Sequence, residues 1–219
     1  MNIVVINASP RKEGAVSTLV DAASRSASEK GAAIERLDLA GLNIRHCSFC
    51  MACYRDPESP IGKCPLDDDM KWILPKLKAA EGYIIATQVS SGHANAIFKT
   101  FFERCAYTAG SSKGTLLWIK GLPVPRFTDR RRFAVTIAAA GAVPAWLRML
   151  CDIATSQMKE LAKRSLNAGV VGTLYAGEIT FKGLKQGDIL KAGRLGEKLV
   201  SAISKAQQYP GQPTTKGAI

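Results

Sequence analysis

Four cysteines lie close together in the first third of the chain and could bind a metal centre or do redox chemistry. Cys47, Cys50 and Cys53 follow one another at intervals of three, and ten residues separate Cys53 from Cys64. Three thiolates at this spacing can wrap around one centre, and a fourth from farther along can complete the shell. Zinc sites more often use two separated cysteine pairs, so the spacing favours a cubane iron–sulfur cluster over zinc. A loop without metal, whose thiols pack or undergo redox reactions, is the third interpretation.

A second group of polar residues follows the first apolar run and could bind a phosphate. It consists of the hydroxyls of Ser9, Ser17 and Thr18 and the guanidinium of Arg11. The segment has neither the glycine pattern of dinucleotide-binding loops nor the GKS or GKT of triphosphate-binding loops. Because a helix is predicted to begin here, free backbone N–H groups and the helix dipole would favour a monophosphate. An ordinary Ser-Pro turn, with Ser17 capping the helix, explains the same residues.

Two later segments carry small and polar residues that suit a flat ring lying close to the backbone. They contain Thr87, Gln88, Val89, Ser90 and Gly92 after the third strand, and Ala140 and Gly141 after the fourth. Backbone N–H groups and the side chains of Gln88 or Ser90 could hydrogen-bond the polar edges of such a ring. Ordinary turns use the same residue types, so this interpretation depends on where the loops meet.

Apolar runs and helical periods predict the elements that position these loops. Runs that are apolar at nearly every residue are typical of strands covered on both faces of a parallel sheet. The predicted strands are Ile3–Ile6, Ala33–Leu39, Tyr83–Ala86, Phe133–Ala138 and Val170–Leu174. Helical spacing predicts helices around Leu19–Ala27, Asp67–Ala80, Ile97–Cys105, Leu147–Leu161 and Asp188–Ala206.

The alternation of strands and helices predicts a doubly wound α/β fold of three layers with a five-stranded parallel sheet. Five strands favour the flavodoxin-like order 2-1-3-4-5, in which ligands bind at the carboxyl ends of the strands. We expect one domain over residues 1–207, with an irregular apolar insertion at 110–129 that covers the site or contacts another subunit. A disordered tail is expected at 208–219, and Cys105 and Cys151 are interpreted as core thiols.

The first loop resembles that of a known family. Ser9-Pro10-Arg11-Lys12 directly after a first strand, followed by Ser17-Thr18, is similar to the phosphate loop of the NAD(P)H-dependent FMN reductases. The resemblance implies a flavodoxin-like fold, FMN with its phosphate in this loop, NADPH or NADH as electron donor, and a homodimer or homotetramer. The third loop departs from the family pattern, with Gln88 in place of a proline and Ser90 in place of an aromatic residue.

The cysteine run resembles a branch of the same superfamily, the iron–sulfur flavoproteins, which carry a [4Fe-4S] cluster beside FMN. Asp67-Asp68-Asp69-Met70 is similar to the Asp-Asp-Met that follows the last cysteine in those proteins. The resemblance implies that the four cysteines could be ligands of such a cluster. The gap before Cys64 is longer here than in that branch and contains two prolines.

The composition is that of a globular protein with an excess of basic residues. The 219 residues are 47% hydrophobic and 22% charged, and 30 Lys and Arg against 18 Asp and Glu give a formal net charge of +12. No segment provides the ~20 apolar residues of a membrane span, and the amino terminus lacks the pattern of a secretion signal. We therefore expect a cytoplasmic protein without membrane contact. The charge favours anionic partners, but no basic stripe interleaved with aromatic residues indicates nucleic-acid binding.

Three functions fit these observations, in order of preference. The first is an FMN-dependent oxidoreductase that passes electrons from NADPH or NADH to a small-molecule acceptor, with no catalytic side chain required because the cofactor carries the chemistry. The second is an iron–sulfur flavoprotein reduced by ferredoxin, an acidic partner that the basic surface would suit. The third is a flavodoxin-like binding module without cofactor, which the departures at Gln88 and Ser90 would explain.

Overall fold

The buried strands of the chain form a parallel sheet with helices on both faces. The computed structural model describes residues 1–208. Its strands are β1 (Asn2–Asn7), β2 (Ala33–Asp38), β3 (Gly82–Ser90), β4 (His93–Ala94), β5 (Gly110–Leu116), β6 (Ile119–Pro125), β7 (Arg132–Ala139) and β8 (Ala168–Ala176). The predicted apolar runs lie inside β1, β3, β7 and β8, and in β1, β3 and β7 they are buried, as expected for strands that are covered on both sides. The run in β8, at the edge of the sheet, is half-buried over Val170–Thr173.

The main sheet has the strand order β2-β1-β3-β7-β8, and all of these neighbours are parallel. The short β4 pairs antiparallel with the end of β3, while β5 and β6 form a separate two-stranded sheet. The predicted order 2-1-3-4-5 is therefore not confirmed as stated, because β4, β5 and β6 precede the fourth parallel strand. The α/β class and the mainly parallel sheet agree with the prediction.

Helices cover each face of the sheet and produce two hydrophobic cores. They are α1 (Ala15–Glu29), α2 (Met70–Ala79), α3 (Ala96–Cys105), α4 (Ile153–Glu160), α5 (Ile179–Lys182) and α6 (Gln186–Gln208). On one face, α1 and α6 pack on alternate residues of the central strands, whereas α2, α3 and α4 cover the other face. Gly196 lets α6 approach α1, since a Cβ there would lie 2.0 Å from the Ala23 carbonyl oxygen.

The helix predicted over Leu147–Leu161 is divided in two. A 3-10 segment covers Ala145–Leu150, and α4 begins only at Ile153 because the Asp152 carboxylate accepts a hydrogen bond of 2.9 Å from the Thr155 N–H. Cys151 lies between the two pieces and is half-buried, so its interpretation as a core thiol was wrong. Cys105 is fully buried in α3, as predicted.

The insertion at 110–129 is an ordered β-hairpin, and the expectation of irregular structure was wrong. Strands β5 and β6 meet at a turn in which Leu117 has a φ of 53°. Leu116, Leu117 and Trp118 are 60%, 77% and 82% exposed at the tip. The apolar tip hid the strand pattern in the sequence, because residues that normally indicate a core here point into solvent.

The carboxyl-terminal helix is longer than predicted. Gln208, assigned to the tail at 208–219, is the last residue of α6, and the rest of that predicted tail lies outside the described residues. Within residues 1–208, no helix combines the length and apolar character needed to cross a membrane.

Candidate functional site

A cleft of about 260 Å³ opens where β1, β3 and β7 end, the edge at which doubly wound sheets bind ligands. Six predicted site residues line it: Ser9, Arg11, Gln88, Val89, Ala140 and Gly141. The lining also contains six residues that were not predicted: Gly14, Ala15, Val16, Ala139, Ile179 and Thr180. The structure thus brings together the loops after β1 and β7, the end of β3 and the start of α5, which follows β8.

A larger cavity, of about 620 Å³, lies at the opposite edge of the sheet. Glu81, Arg132 and Phe133 border it at the amino ends of β3 and β7. Because open α/β sheets bind ligands outside the carboxyl ends of their strands, we consider the smaller cleft to be the candidate site.

The amino terminus of α1 forms one wall of the cleft and has the character of an anion site. Gly14 is the N-cap, and no side chain of the described residues caps the helix. The first turn contains no acidic residue, and Gly14, Ala15 and Val16 all face the cleft. The first N–H groups of a helix have no partner inside it, so these donors and the positive end of the helix dipole are available to an anion.

The hydroxyls of the first loop mainly fix its shape. The Ser9 and Ser17 hydroxyls both donate to the Arg11 carbonyl oxygen, at 2.8 and 2.9 Å. The Thr18 hydroxyl donates to the Gly14 carbonyl oxygen at 3.1 Å. Ser17 is buried within α1, and Thr18 is exposed outside the cleft. Of the four residues predicted for this loop, only Ser9 and Arg11 line the cleft.

Two asparagines that the sequence analysis missed hold the loops together. The Asn7 side-chain oxygen accepts the Ser9 N–H at 3.1 Å, and its amide group donates to Asp38 at 2.6 Å. Asn95 donates to the Ala8 carbonyl oxygen at 2.6 Å, and its oxygen caps α3 at 2.9 Å. Asn7 directly follows an apolar run and Asn95 precedes an amphipathic helix, a cap signal that could have identified it.

The predicted third loop is a continuation of β3 that turns back into β4. Ser91 and Gly92 form the turn with φ angles of 49° and 83°, as in the two-residue turns of tight hairpins. Thr87 is fully buried, and Ser90 is exposed at the end of the strand. Thr87, Ser90 and Gly92 therefore lie outside the cleft lining, unlike their neighbours Gln88 and Val89.

The end of β7 and the short α5 form the opposite wall. The Ile179 and Thr180 N–H groups donate to the carbonyl oxygens of Ala140 and Gly141 at 3.2 and 2.9 Å. A Cβ at Gly141 would lie 2.6 Å from the Thr180 hydroxyl oxygen. Glycine therefore allows α5 to close against the sheet edge, and the wall offers small side chains and backbone to a ligand.

The four clustered cysteines occupy an irregular loop between β2 and α2. Cys47 and Cys50 are exposed, whereas Cys53 and Cys64 are half-buried, and none of them forms a disulfide. Phe49 and Met51, which flank Cys50, have left-handed φ angles of 53° and 61°. The loop winds tightly at this point, so that backbone N–H groups turn towards the sulfur of Cys50.

The surroundings of Cys50 and Cys53 shift the pKa values of these two thiols in opposite directions. A hydrogen bond from the Ala52 backbone, opposed by a smaller desolvation effect, lowers the pKa of the Cys50 thiol. Burial raises the pKa of Cys53, and the charges of Cys64, Cys47 and Cys50 raise it further. Cys64 is therefore near Cys53 in space, despite its distance along the chain.

The four free thiols are the type of ligand that an iron–sulfur cluster uses. Between residues 1 and 208, no three Cys, His, Asp or Glu side chains are placed to hold one ion. A cubane is wider than an ion, so its ligands stand farther apart. The free thiols match the ligands of such a cluster. Arg104 has a buried Nε–H, a hydrogen-bond donor without a partner among the described residues.

The predicted Asp-Asp-Met segment clamps the two ends of the cysteine loop. Asp68 accepts the Arg45 N–H at 2.9 Å, and Asp69 accepts the Asn43 N–H at 2.7 Å. Asp68 also forms a buried ion pair with Arg104 of α3. Burial favours the neutral carboxyl of Asp68, but hydrogen bonds from Arg104 and Arg45 outweigh it and lower its pKa.

Arg126, at the end of the hairpin, organises the long gap between Cys53 and Cys64. Its guanidinium donates to the carbonyl oxygens of Cys53, Asp56 and Ser59 at 3.1, 2.6 and 2.6 Å. The hairpin adds a hydrogen bond of 2.7 Å from the Ser112 hydroxyl to the Tyr54 carbonyl oxygen. The insertion thus contacts the cysteine loop directly, a role that the sequence did not indicate.

Comparison with known proteins gives a family match over most of the chain. The sequence model of the NADPH-dependent FMN reductases matches residues 1–176. An iron–sulfur flavoprotein of Methanocaldococcus jannaschii is 35% identical over 104 residues, which are 48% of this chain and 51% of that protein. The match spans about half the length of this curated relative.

Solved structures are similar over almost the whole chain. A flavone reductase superposes with a TM-score of 0.68 and 18% identity, covering 94% of this chain and 64% of the other. An NAD(P)H:quinone oxidoreductase from Methanothermobacter marburgensis superposes with a TM-score of 0.66 and 18% identity, covering 90% and 97%. At such identities the likeness concerns the fold, which is flavodoxin-like. Taken with the match over residues 1–176, it places the chain in the NADPH-dependent FMN reductase family.

Proposed function

We propose that the chain is an FMN-dependent oxidoreductase that accepts electrons from NADPH or NADH and passes them to a small-molecule acceptor. The observation that carries this proposal is the amino terminus of α1, which faces the cleft without a side-chain cap and beside Arg11. A helix terminus of this kind binds a phosphate through N–H donors and its dipole. Membership of the FMN reductase family supports FMN as the molecule that supplies it.

The residues proposed to hold the phosphate end are Ser9 and Arg11 with the first N–H groups of α1. Arg11 is exposed at the rim, where its charge can pair with the phosphate. Ser17 and Thr18 act indirectly, since their hydroxyls hold the carbonyl oxygens of Arg11 and Gly14 and thereby set the path of the loop.

The flavin ring is proposed to lie between the ends of β3 and β7. Gln88 can hydrogen-bond a polar ring edge, and Val89, Ala140 and Gly141 provide small apolar side chains and backbone. Bound FMN supplies the electron transfer chemistry. Of the lining residues, Arg11 is the one ionisable side chain, so the protein's contribution is to bind, orient and shield the cofactor.

An FMN titration of the purified chain tests this proposal. Stoichiometric yellow protein whose visible flavin bands bleach on addition of NADPH or NADH supports it. Bound flavin that neither nicotinamide bleaches argues against nicotinamide as donor. Failure to bind FMN at all would favour the cofactor-less binding module.

A second candidate function, an iron–sulfur flavoprotein with a [4Fe-4S] cluster, is favoured by the four free thiols. Cys47, Cys50, Cys53 and Cys64 would hold the cluster, and the curated relative carries this function in its name. The exposure of Cys47 and Cys50 would let electrons enter from a partner such as ferredoxin. Anaerobic purification followed by iron and sulfide analysis tests it, and a chain that retains no iron after reconstitution contradicts it.

The exposed apolar tip of the hairpin supports a homodimer or homotetramer. Leu116, Leu117 and Trp118 expose an apolar group at one point, which usually indicates a contact surface. Cytoplasmic location, the absence of nucleic-acid binding and a single domain over residues 1–207 stay predictions of the sequence.

A further inference from the structure

Arg104 is the side chain that connects the cysteine loop with the helical layer behind it. It extends from the end of α3, is 2% exposed, and forms its ion pair with an Asp68 side chain that is fully buried. Its Nη1 donates to the Arg45 carbonyl oxygen at 2.8 Å, and its Nη2 donates to the Cys64 sulfur at 3.4 Å.

The positions of the two charges determine which of them faces the Cys64 sulfur. Arg104 lies between Asp68 and Cys64, so the positive end of the buried ion pair faces the sulfur. Both partners are excluded from water, and interactions between charges in such a place are screened little. A thiolate at Cys64 would therefore be held by a charged donor rather than by solvent.

We infer that Arg104 is a positioning residue that fixes Cys64 as the fourth ligand and raises the reduction potential of a cluster bound by the four cysteines. The inference rests on the second candidate function. Reduction adds one electron, and hence one negative charge, to the cluster. A positive group and an N–H donor beside a ligand sulfur stabilise the reduced form, because hydrogen bonds and net charge around the sulfurs set the potential. Asp68 works in the opposite direction, since its carboxylate compensates part of the arginine charge.

Two substitutions in the full chain separate this role from a purely structural one. Arg104→Gln removes the positive charge, whereas Asp68→Asn removes the compensating negative charge and leaves the arginine in place. After anaerobic reconstitution, the cluster is titrated with dithionite while its reduced form is followed by electron paramagnetic resonance. We expect Arg104→Gln to shift the reduction equilibrium about tenfold towards the oxidised form, about 59 mV for one electron. Asp68→Asn should shift it in the opposite direction.

Lys99→Gln is the matched control, because Lys99 lies on the same helix but is exposed and pairs with Glu103. It removes the same charge, and we expect a shift of less than about twofold because exposed charges are screened. If either single variant fails to fold, the double variant Arg104→Gln/Asp68→Asn replaces it. It should still shift the equilibrium towards the oxidised form, because the charge of Arg104 lies nearer to Cys64 than that of Asp68.

The outcomes distinguish the inference from the function on which it rests. A wild-type chain that takes up no iron overturns both. Wild-type iron content with equal potentials in all variants, or with shifts of the same sign for Arg104→Gln and Asp68→Asn, overturns the inference alone.

Discussion

Replacing Gly14 by aspartate places a carboxylate where the FMN phosphate is proposed to bind. Gly14 has a φ of −163°, an extended conformation that any residue adopts, and the nearest atom to a Cβ there would be the Arg11 Cβ at 3.4 Å. The substitution therefore introduces little strain. Its carboxylate would cap the open N–H groups of α1, so that the protein provides its own anion.

The expected effects on stability and on affinity have opposite signs. A better N-cap and a negative charge at the helix start should raise the free energy of unfolding by about 0.5 to 1 kcal/mol. Two unit charges about 4 Å apart repel by about 1 kcal/mol in water and about 4 kcal/mol near a protein surface. At about 1.4 kcal/mol per factor of ten, FMN affinity should fall roughly five-fold to a thousand-fold.

Urea denaturation and flavin fluorescence titration measure the two effects. Gly14→Asn is the matched control, because it caps the helix without adding charge and should weaken FMN binding less. Riboflavin lacks the phosphate, so its affinity should be the same for all three proteins. Unchanged FMN affinity in Gly14→Asp, or an equal loss of riboflavin and FMN, would refute the placement of the phosphate at α1.

Three further predictions concern other parts of the molecule. Asn95→Ala removes the cap of α3 and the donor to Ala8, and should lower the free energy of unfolding by about 1 to 3 kcal/mol in urea, with Asn95→Ser losing less. Burial raises the pKa of Asp129, but hydrogen bonds from Arg132 and a neighbouring arginine outweigh it and lower the pKa to about 2. Because the folded pKa lies below the ordinary value, the ionised Asp129 contributes to the free energy of unfolding above a pH of about 4, and this contribution is lost as the pH falls to about 2. The free energy of unfolding of Asp129→Asn should therefore depend less on pH in that window. Trp118→Ser should shift sedimentation towards the monomer without lowering the urea midpoint, and an unchanged profile contradicts a subunit contact at the hairpin tip.

The parallel part of the fold could be predicted because burial on both faces leaves a direct mark on the sequence. Strands β1, β3 and β7 are apolar at nearly every position, and the helices between them repeat their apolar residues at helical spacing. The hairpin lacked such a mark. Its strands contact the cysteine loop through the Ser111 and Ser112 hydroxyls, so part of the residue pattern of β5 and β6 reflects contacts with a distant segment.

The site was predicted at the level of loops and less well at the level of side chains. The edge of the sheet follows from topology, which is why Ser9, Gln88 and Gly141 meet in one cleft. Whether a hydroxyl faces the cleft or the backbone depends on local turns, and those of Ser17 and Thr18 donate to backbone carbonyl oxygens. The two asparagines and the short α5 escaped notice because their contacts join residues far apart in the chain.

Arg126 donates hydrogen bonds to backbone carbonyl oxygens between Cys53 and Ser59, and every amino acid has such an oxygen. These contacts do not depend on the side chains that they join, although the Asp56 carboxylate adds hydrogen bonds from the Ser59 hydroxyl and the Lys63 N–H. Related chains could thus differ in sequence at many of these residues and still keep the same backbone path. Loss of Arg126 would change this backbone path more than many substitutions within the segment itself.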